Sequence, residues 1–185
     1  MPLEKQIYNF VLLSSLILTA VSCSFSEENT VDQVHATPLQ VITKGDVSVP
    51  VYDFHSLEPV FEQQNDTLYV FNFWATWCKP CVKELPYFLA ANSAYAGKPV
   101  RILLISLDFA EDIETKLIPF MIQNRVGARV VLLDDMDANS WIPKVDKDWE
   151  GDIPATLFIR QGIRKFEART YDYQQLTEQI NNLLN

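Results

Sequence analysis

The feature that most constrains the fold of this chain is an apolar run that leads directly into two cysteines. Leu68–Trp74 is hydrophobic or aromatic throughout except for Asn72, as expected for a central strand that is buried on both faces. Cys78 and Cys81 follow this run, and residues 82–96 then have the apolar spacing of a helix. The sequence therefore predicts a buried strand, a cysteine-bearing turn and a helix, in that order.

The spacing of the two cysteines suits redox chemistry. Residues three apart on a helix share a face, so Cys78 and Cys81 can close a small disulfide with little backbone movement. In the first turn, unpaired backbone N–H groups and the helix dipole favour the thiolate of Cys78. Backbone N–H groups in the first turn of a helix have no helical acceptor, so a proline at this position costs no hydrogen bond, and Pro80 fits this turn. We therefore expect Cys78 to attack a substrate disulfide and the shielded Cys81 to resolve the mixed disulfide.

The rest of the chain predicts one α/β domain at residues 39–185. Alternating patterns predict a hairpin at 39–54 that turns at Gly45, and further strands at 100–108, 130–133, 155–160 and 163–168. Helical patterns cover 57–64, 111–125 and the C-terminal segment around Leu176 and Ile180, whereas 136–151 reads as irregular. The order of these elements predicts a mixed central sheet with helices on both faces and an added N-terminal β-hairpin.

The N-terminus has the pattern of an export signal. The apolar run at residues 7–21 is shorter than a membrane span, which needs about 20 residues. It ends in small residues before Cys23 and resembles a lipoprotein signal, so we expect a signal peptide at 1–22, lipidation of Cys23 and a flexible tether at 23–38. An uncleaved anchor helix, or a plain secretory signal with an incidental Cys23, remains the alternative. The expected location is the bacterial envelope, facing the periplasm and anchored to a membrane by lipid.

Composition excludes some classes of partner. The chain has 24 acidic and 15 basic residues and a net charge of -9, which argues against a nucleic-acid partner. With a single close cysteine pair, an exported chain has no disulfide framework, so the pair is more chemical than structural. Two cysteines at this spacing are also half of a zinc site, but the histidines, His35 and His55, both lie upstream. We therefore predict no metal and no other cofactor.

The segment from Phe71 to Cys81 resembles the active-site segment of the thioredoxin superfamily, and residues 82–86 extend the resemblance towards its TlpA/ResA-like branch. The likeness runs from Val47 to the C-terminus and implies a thioredoxin fold with a redox-active Cys78–Cys81 disulfide. The cis-proline of this family maps onto Pro154, although a proline at the start of a strand is also sterically ordinary. The residues expected to face a substrate are Trp77, Lys79, Pro80 and Ile153.

The resemblance also suggests a proton acceptor. Asn72 stands where thioredoxin has a buried Asp, and an amide cannot accept the proton of Cys81. Glu84 occupies the place of a Glu that is thought to assist in the TlpA/ResA-like branch. If it has this role, burial beside the thiol should raise its pKa towards neutrality. The alternative is a solvated carboxylate on the helix surface.

The function implied by the resemblance is reduction of disulfides in exported proteins, with apo-cytochrome c or misoxidised proteins as partners and a membrane thiol carrier as electron donor. A thiol oxidase or isomerase is an alternative, because Lys79-Pro80 does not fix the direction of electron flow. Two other classes match less well. A copper carrier of the Cys-x-x-x-Cys type has one more residue between its cysteines and a distal His, whereas this chain has no His after residue 55. A peroxiredoxin has a Thr-x-x-Cys arrangement, and this chain has Ala75 at the position of the Thr.

Overall fold

A mixed seven-stranded sheet forms the centre of the computed structural model, which describes residues 36–185. The strand order is β1-β2-β5-β4-β3-β6-β7, in which β2, β5, β4 and β3 run parallel. At the two edges, β1 is antiparallel to β2, β6 to β3 and β7 to β6. The strands are β1 Gln40–Lys44, β2 Val47–Tyr52, β3 Leu68–Trp74, β4 Val100–Ser106, β5 Arg129–Leu133, β6 Ala155–Arg160 and β7 Ile163–Glu167.

Helices cover both faces of the sheet, as predicted. They are α1 Phe54–Leu57, α2 Lys79–Ala94, α3 Ile118–Gln123, α4 Ala138–Val145 and α5 Tyr173–Leu184. The buried residues of α2, α3 and α5 share one apolar cluster with Val70 and Trp74 of β3. Those of α1 and α4 share the other cluster with Phe71 and Phe73. Because strand side chains alternate between faces, Asn72 lies on the face that α2 and α5 cover.

The predicted elements are confirmed with local corrections. Strands β3 and β6 have the predicted bounds, and the N-terminal hairpin is present. Helix α2 begins at Lys79 rather than at residue 82, because Cys78 caps it. The segment predicted as a helix at residues 57–64 contains a 3₁₀ turn at Glu58–Glu62. In the segment predicted as a helix at 111–125, α3 is preceded by a 3₁₀ turn at Ala110–Asp112 and a π turn at Ile113–Leu117.

The prediction that residues 136–151 are irregular was wrong, because they contain α4. Trp141 and Val145, one helical turn apart, are both buried, and the Trp141 ring stacks on Phe54 at 5.8 Å between ring centroids. Pro143 lies inside the helix, where a proline is unfavourable because it cannot donate a backbone hydrogen bond. Packing against α1 therefore outweighs an unfavourable local sequence here.

One edge of the sheet collects the residues of interest. The carboxyl ends of the parallel strands β3, β4 and β5 meet at the same edge, and the antiparallel β6 begins there. Cys78 follows β3, Asp108 follows β4, Met136 follows β5, and Pro154 precedes β6. This edge is called the redox edge below.

The expected signal peptide, Cys23 and tether residues 23–35 lie outside the described residues. Residues 36–38 belong to no helix or strand, and Ala36 packs against the cluster that contains α1 and α4. Within residues 36–185, no helix combines the length and the apolar character that a membrane crossing requires.

Candidate active site

A disulfide joins Cys78 and Cys81 at the start of α2. Cys78 is the N-cap residue, and the backbone N–H of Cys81 donates to its Sγ atom at 3.3 Å. The fractional exposure is 6% for Cys78 and 1% for Cys81, so Cys78 is the outer sulfur. A helix N-terminus with an N–H group aimed at this sulfur stabilises a thiolate there.

The residues expected to face a substrate lie around this disulfide. The Ile153–Pro154 peptide bond is cis, and the carbonyl oxygen of Ile153 lies 3.7 Å from Sγ of Cys78. Trp77, Lys79 and Pro80 are exposed, while Ile153 is half-buried. The structure therefore brings together all the predicted residues of this group.

The side chain of Glu84 is buried beneath the disulfide-bearing turn, with only 2% of its surface exposed. Oε1 accepts a hydrogen bond from Nδ2 of Asn72 at 3.0 Å, and Oε2 accepts one from the backbone N–H of Tyr171 at 2.7 Å. Cys81 lies on the same face of α2 as Glu84, one helical turn before it. The alternative of a solvated surface carboxylate is therefore wrong.

Burial raises the pKa of Glu84 from 4.5 to about 7, because the charged carboxylate loses its hydration. The hydrogen bonds from Tyr171 and Asn72, and the more distant charge of Arg169, favour the carboxylate and limit this rise. A group with a pKa near neutrality can both accept and release a proton at physiological pH. The electrostatics thus suit Glu84 to proton transfer with a neighbouring thiol.

Asn72 has a role that its type alone did not reveal. Its Nδ2 group donates to Glu84 and also to Oγ1 of Thr156 at 3.2 Å. Thr156 lies in β6, two residues after Pro154, and pairs with Asn72 across the sheet. Asn72 thus fixes the carboxyl group of Glu84 to the strand that follows the Pro154 turn.

Tyr171 was missed by the sequence analysis, and no local signal could have indicated it, since it lies 87 positions after Glu84. Its ring is buried and contacts Phe88 and Phe158 edge to face. Its hydroxyl donates to Glu167 at 2.7 Å, and the Arg169 guanidinium lies 4.0 Å from the ring centroid. These contacts fix the backbone N–H that binds Glu84.

Asp108 was also missed, although an acidic residue directly after an apolar strand is a usable signal. It is buried, and its carboxylate accepts hydrogen bonds from the backbone N–H of Thr76 at 3.1 Å and from the Thr76 hydroxyl at 2.5 Å. The Ser106 hydroxyl donates to it at 2.7 Å. Asp108 therefore holds the turn that precedes Cys78.

A pocket of about 320 Å³ opens beside Glu84, between α2 and the start of α5. Its lining residues are Pro80, Lys83, Glu84, Tyr87, Thr170, Tyr171, Asp172 and Gln175. Glu84 therefore lines a cavity whose volume is sufficient for several water molecules. Among residues 36–185, no three His, Cys, Asp or Glu side chains lie close enough together to hold a metal ion.

Comparison with known proteins agrees with this geometry. Residues 53–163, more than half of the chain, match the model of the AhpC/TSA family. The chain belongs to this family. Thiol-disulfide oxidoreductase ResA of Oceanobacillus iheyensis is 33% identical over 96 residues, which are 48% of this chain and 42% of that protein. ResA of Bacillus cereus is 48% identical over 40 residues, 22% of this chain and 23% of that protein. The chain thus spans less than half the length of these curated relatives.

Among solved structures, the thioredoxin-related protein from Neisseria meningitidis serogroup B superposes with a TM-score of 0.56 at 22% sequence identity. The match covers 66% of this chain and 88% of that one. The predicted thioredoxin fold is therefore confirmed, and the similarity to the two ResA proteins agrees with the predicted resemblance to the TlpA/ResA-like branch.

Proposed function

We propose that this chain is an envelope-anchored thiol–disulfide oxidoreductase that reduces disulfides in exported proteins. The observation that carries the proposal is the Cys78–Cys81 disulfide at the start of α2, with Sγ of Cys78 next to the Ile153 carbonyl. The similarity to proteins named thiol-disulfide oxidoreductase ResA supports the same activity.

The proposed reaction transfers two electrons from the dithiol to a substrate disulfide. The Cys78 thiolate attacks one substrate sulfur, so that a Cys78–substrate disulfide forms and the other substrate sulfur leaves as a thiolate. The Cys81 thiolate then attacks Sγ of Cys78, which forms the Cys78–Cys81 disulfide and releases the second substrate sulfur. The chain is oxidised and the substrate is reduced.

Glu84 is the proposed proton acceptor for Cys81. A thiol of ordinary pKa, about 8.5, is mostly protonated at neutral pH, so the resolving step needs a base. Asn72 supplies none, whereas Glu84 has a pKa raised to about 7 and lies one turn from Cys81 on α2. Water in the adjacent pocket can then take the proton from Glu84.

The proposed partners and location rest on the resemblance and on residues 1–23. We propose lipidation of Cys23 as the membrane anchor, disulfides of exported proteins such as apo-cytochrome c or misoxidised proteins as substrates, and a membrane thiol carrier as electron donor. The reduction potential of the Cys78–Cys81 couple against glutathione tests the direction of electron flow, since a couple as oxidising as about -120 mV would indicate a thiol oxidase.

Two cysteine variants test the proposed roles. Cys78→Ser should abolish reduction of insulin disulfides, because the attacking sulfur is absent. Cys81→Ser should accumulate stable mixed disulfides with substrates, which non-reducing electrophoresis and mass spectrometry detect. Equal trapping by the two variants would contradict the assignment of the attacking and resolving thiols.

A further inference from the structure

Three large apolar side chains at the redox edge are exposed to solvent. The exposed fraction is 59% for Trp77, 55% for Phe109 and 89% for Met136. They follow the carboxyl ends of β3, β4 and β5, which are neighbouring parallel strands. These three residues are called the apolar ridge below, and neither the proposed reaction nor the packing of the fold uses Phe109 or Met136.

The apolar ridge begins at the reactive sulfur. Trp77 directly precedes Cys78, and the Asp108–Thr76 hydrogen bonds tie the start of the Phe109 loop to the turn before Cys78. Adjacent strands lie about 4.8 Å apart, so the ridge extends about 10 Å from β3 to β5. An extended polypeptide advances about 3.3 Å per residue and would cover this distance in about three residues.

Acidic residues lie close in sequence to Phe109 and Met136 of the apolar ridge. Glu111, Asp134 and Asp137 are exposed, and the latter two lie within two positions of Met136. Nearby Lys116 is paired with Asp112 at 2.7 Å. The exposed lysines next to the cysteines, Lys79 and Lys83, lie on α2. The redox edge therefore carries positive charge at the start of α2 and negative charge near Phe109 and Met136.

We propose that the apolar ridge and the acidic residues near Phe109 and Met136 bind a locally unfolded, basic segment of the substrate protein. This segment carries an apolar side chain and lysine or arginine residues about three positions from the cysteine that reacts with Cys78. The inference rests on the proposed function and specifies which disulfides are favoured substrates.

One observation favours an unfolded segment over a folded partner surface, and another favours a basic segment. Sγ of Cys78 is recessed, since the residue is only 6% exposed while the neighbouring Trp77 is 59% exposed. A slim, extended chain can bring its disulfide past Trp77 to this sulfur, whereas a broad folded surface is held away. The basic character follows from charge complementarity with the acidic residues near Phe109 and Met136, which raises association rates for cationic partners.

Four synthetic peptides test the proposal, each as a symmetrical disulfide-linked dimer. They differ only in having Leu or Gly three positions from the cysteine and Lys or Glu beside that position. With the full chain carrying Cys81→Ser, Cys78 attacks one peptide sulfur, a Cys78–peptide disulfide forms, and one peptide thiolate leaves. The measured quantity is the second-order rate constant of adduct formation, followed by mass spectrometry.

The Leu–Lys peptide should react about tenfold faster than the Gly–Glu peptide at low ionic strength. The effect of Lys should shrink as salt rises to about 0.5 M, where charges are screened over a few ångströms, while the effect of Leu should remain. Phe109→Ser with Met136→Ser should remove the preference for Leu. Asp134→Asn with Asp137→Asn should remove the preference for Lys.

Matched controls lie away from the redox edge. Ile122→Ser removes an exposed apolar side chain at the end of α3, and Asp46→Asn with Glu178→Gln removes two exposed charges. Both controls should keep the preferences of the parent protein. Equal rates for all four peptides, or unchanged preferences in the redox-edge variants, would overturn the inference and leave the proposed function intact. Failure of Cys78 to react with any peptide would overturn the proposed function itself.

Discussion

Replacing Glu84 by Gln should change how the stability of the folded protein depends on pH. Burial raises the pKa of the Glu84 carboxyl from 4.5 to about 7. Each pKa unit corresponds to about 1.4 kcal/mol, so ionising the buried group costs about 3 kcal/mol more in the folded chain than in the unfolded chain. Because the folded state binds this proton more tightly, it is favoured at low pH.

The sign and range of the effect follow from the two pKa values. The free energy of unfolding falls as pH rises above about 4.5, where the unfolded carboxyl ionises, and levels off above about 7, where the folded carboxyl ionises as well. Between about pH 5 and about pH 8, Glu84 alone should lower it by about 2.5 kcal/mol. The Glu84→Gln variant lacks this contribution. The difference in free energy of unfolding between the wild type and Glu84→Gln should therefore change by about 2.5 kcal/mol between about pH 5 and about pH 8.

Urea unfolding of the oxidised proteins at both pH values measures this change. Gln cannot accept hydrogen bonds from both Asn72 and Tyr171, because an amide nitrogen replaces one oxygen, but this penalty of about 1 to 3 kcal/mol is independent of pH and cancels. Glu178→Gln, at an exposed site on α5, is the matched control and should show little change. A stability difference between wild type and Glu84→Gln that is the same at both pH values would refute the reasoning.

Three further outcomes concern resolution, the turn before Cys78 and the anchor. Glu84→Gln should slow resolution of mixed disulfides and remove its pH dependence near 7 without slowing the first attack; stopped-flow rates that track the wild type at every pH would contradict this. Asp108→Ala should lower the free energy of unfolding by about 2 to 4 kcal/mol, because the N–H and hydroxyl groups of Thr76 lose their acceptor. A decrease below about 1 kcal/mol, measured by urea unfolding, would argue against this role of Asp108. Wild-type protein should fractionate with membranes and Cys23→Ser should not, since each buried CH₂ of an acyl chain contributes about 0.8 kcal/mol; a membrane-bound serine variant would indicate an uncleaved helix.

Local patterns were sufficient for the elements that carry the cysteines. Strand β3 could be predicted to the residue because a continuous apolar run ends where polar residues and the cysteines begin. Strands β6 and β7 could be predicted because only Gln161 and Gly162 separate two apolar runs, a spacing typical of a tight hairpin turn. In the structure both residues adopt positive φ, as such a turn requires. In each case the decisive information lies within a few residues of the element itself.

Long-range contacts decided what could not be predicted. Helix α4 depends on Trp141 packing against Phe54, which is distant in the sequence. The place of Glu84 on α2 could be expected from its spacing to Cys81, but its second hydrogen-bond donor, Tyr171, lies beyond four intervening strands. Nothing near Tyr171 in the sequence distinguishes it from an ordinary core aromatic residue.

The bond between Tyr171 and Glu84 has a consequence for the chain while it is being made. During synthesis, Cys78 and Cys81 leave the ribosome long before Tyr171, which follows Glu84 by 87 positions. An emerging chain that already presents both thiols lacks the N–H group and the aromatic ring that complete the surroundings of Glu84. Because Glu84 is the proposed proton acceptor for the resolving step, such a nascent chain could attack a disulfide of another protein through Cys78, with loss of one thiolate, before it can release the mixed disulfide efficiently.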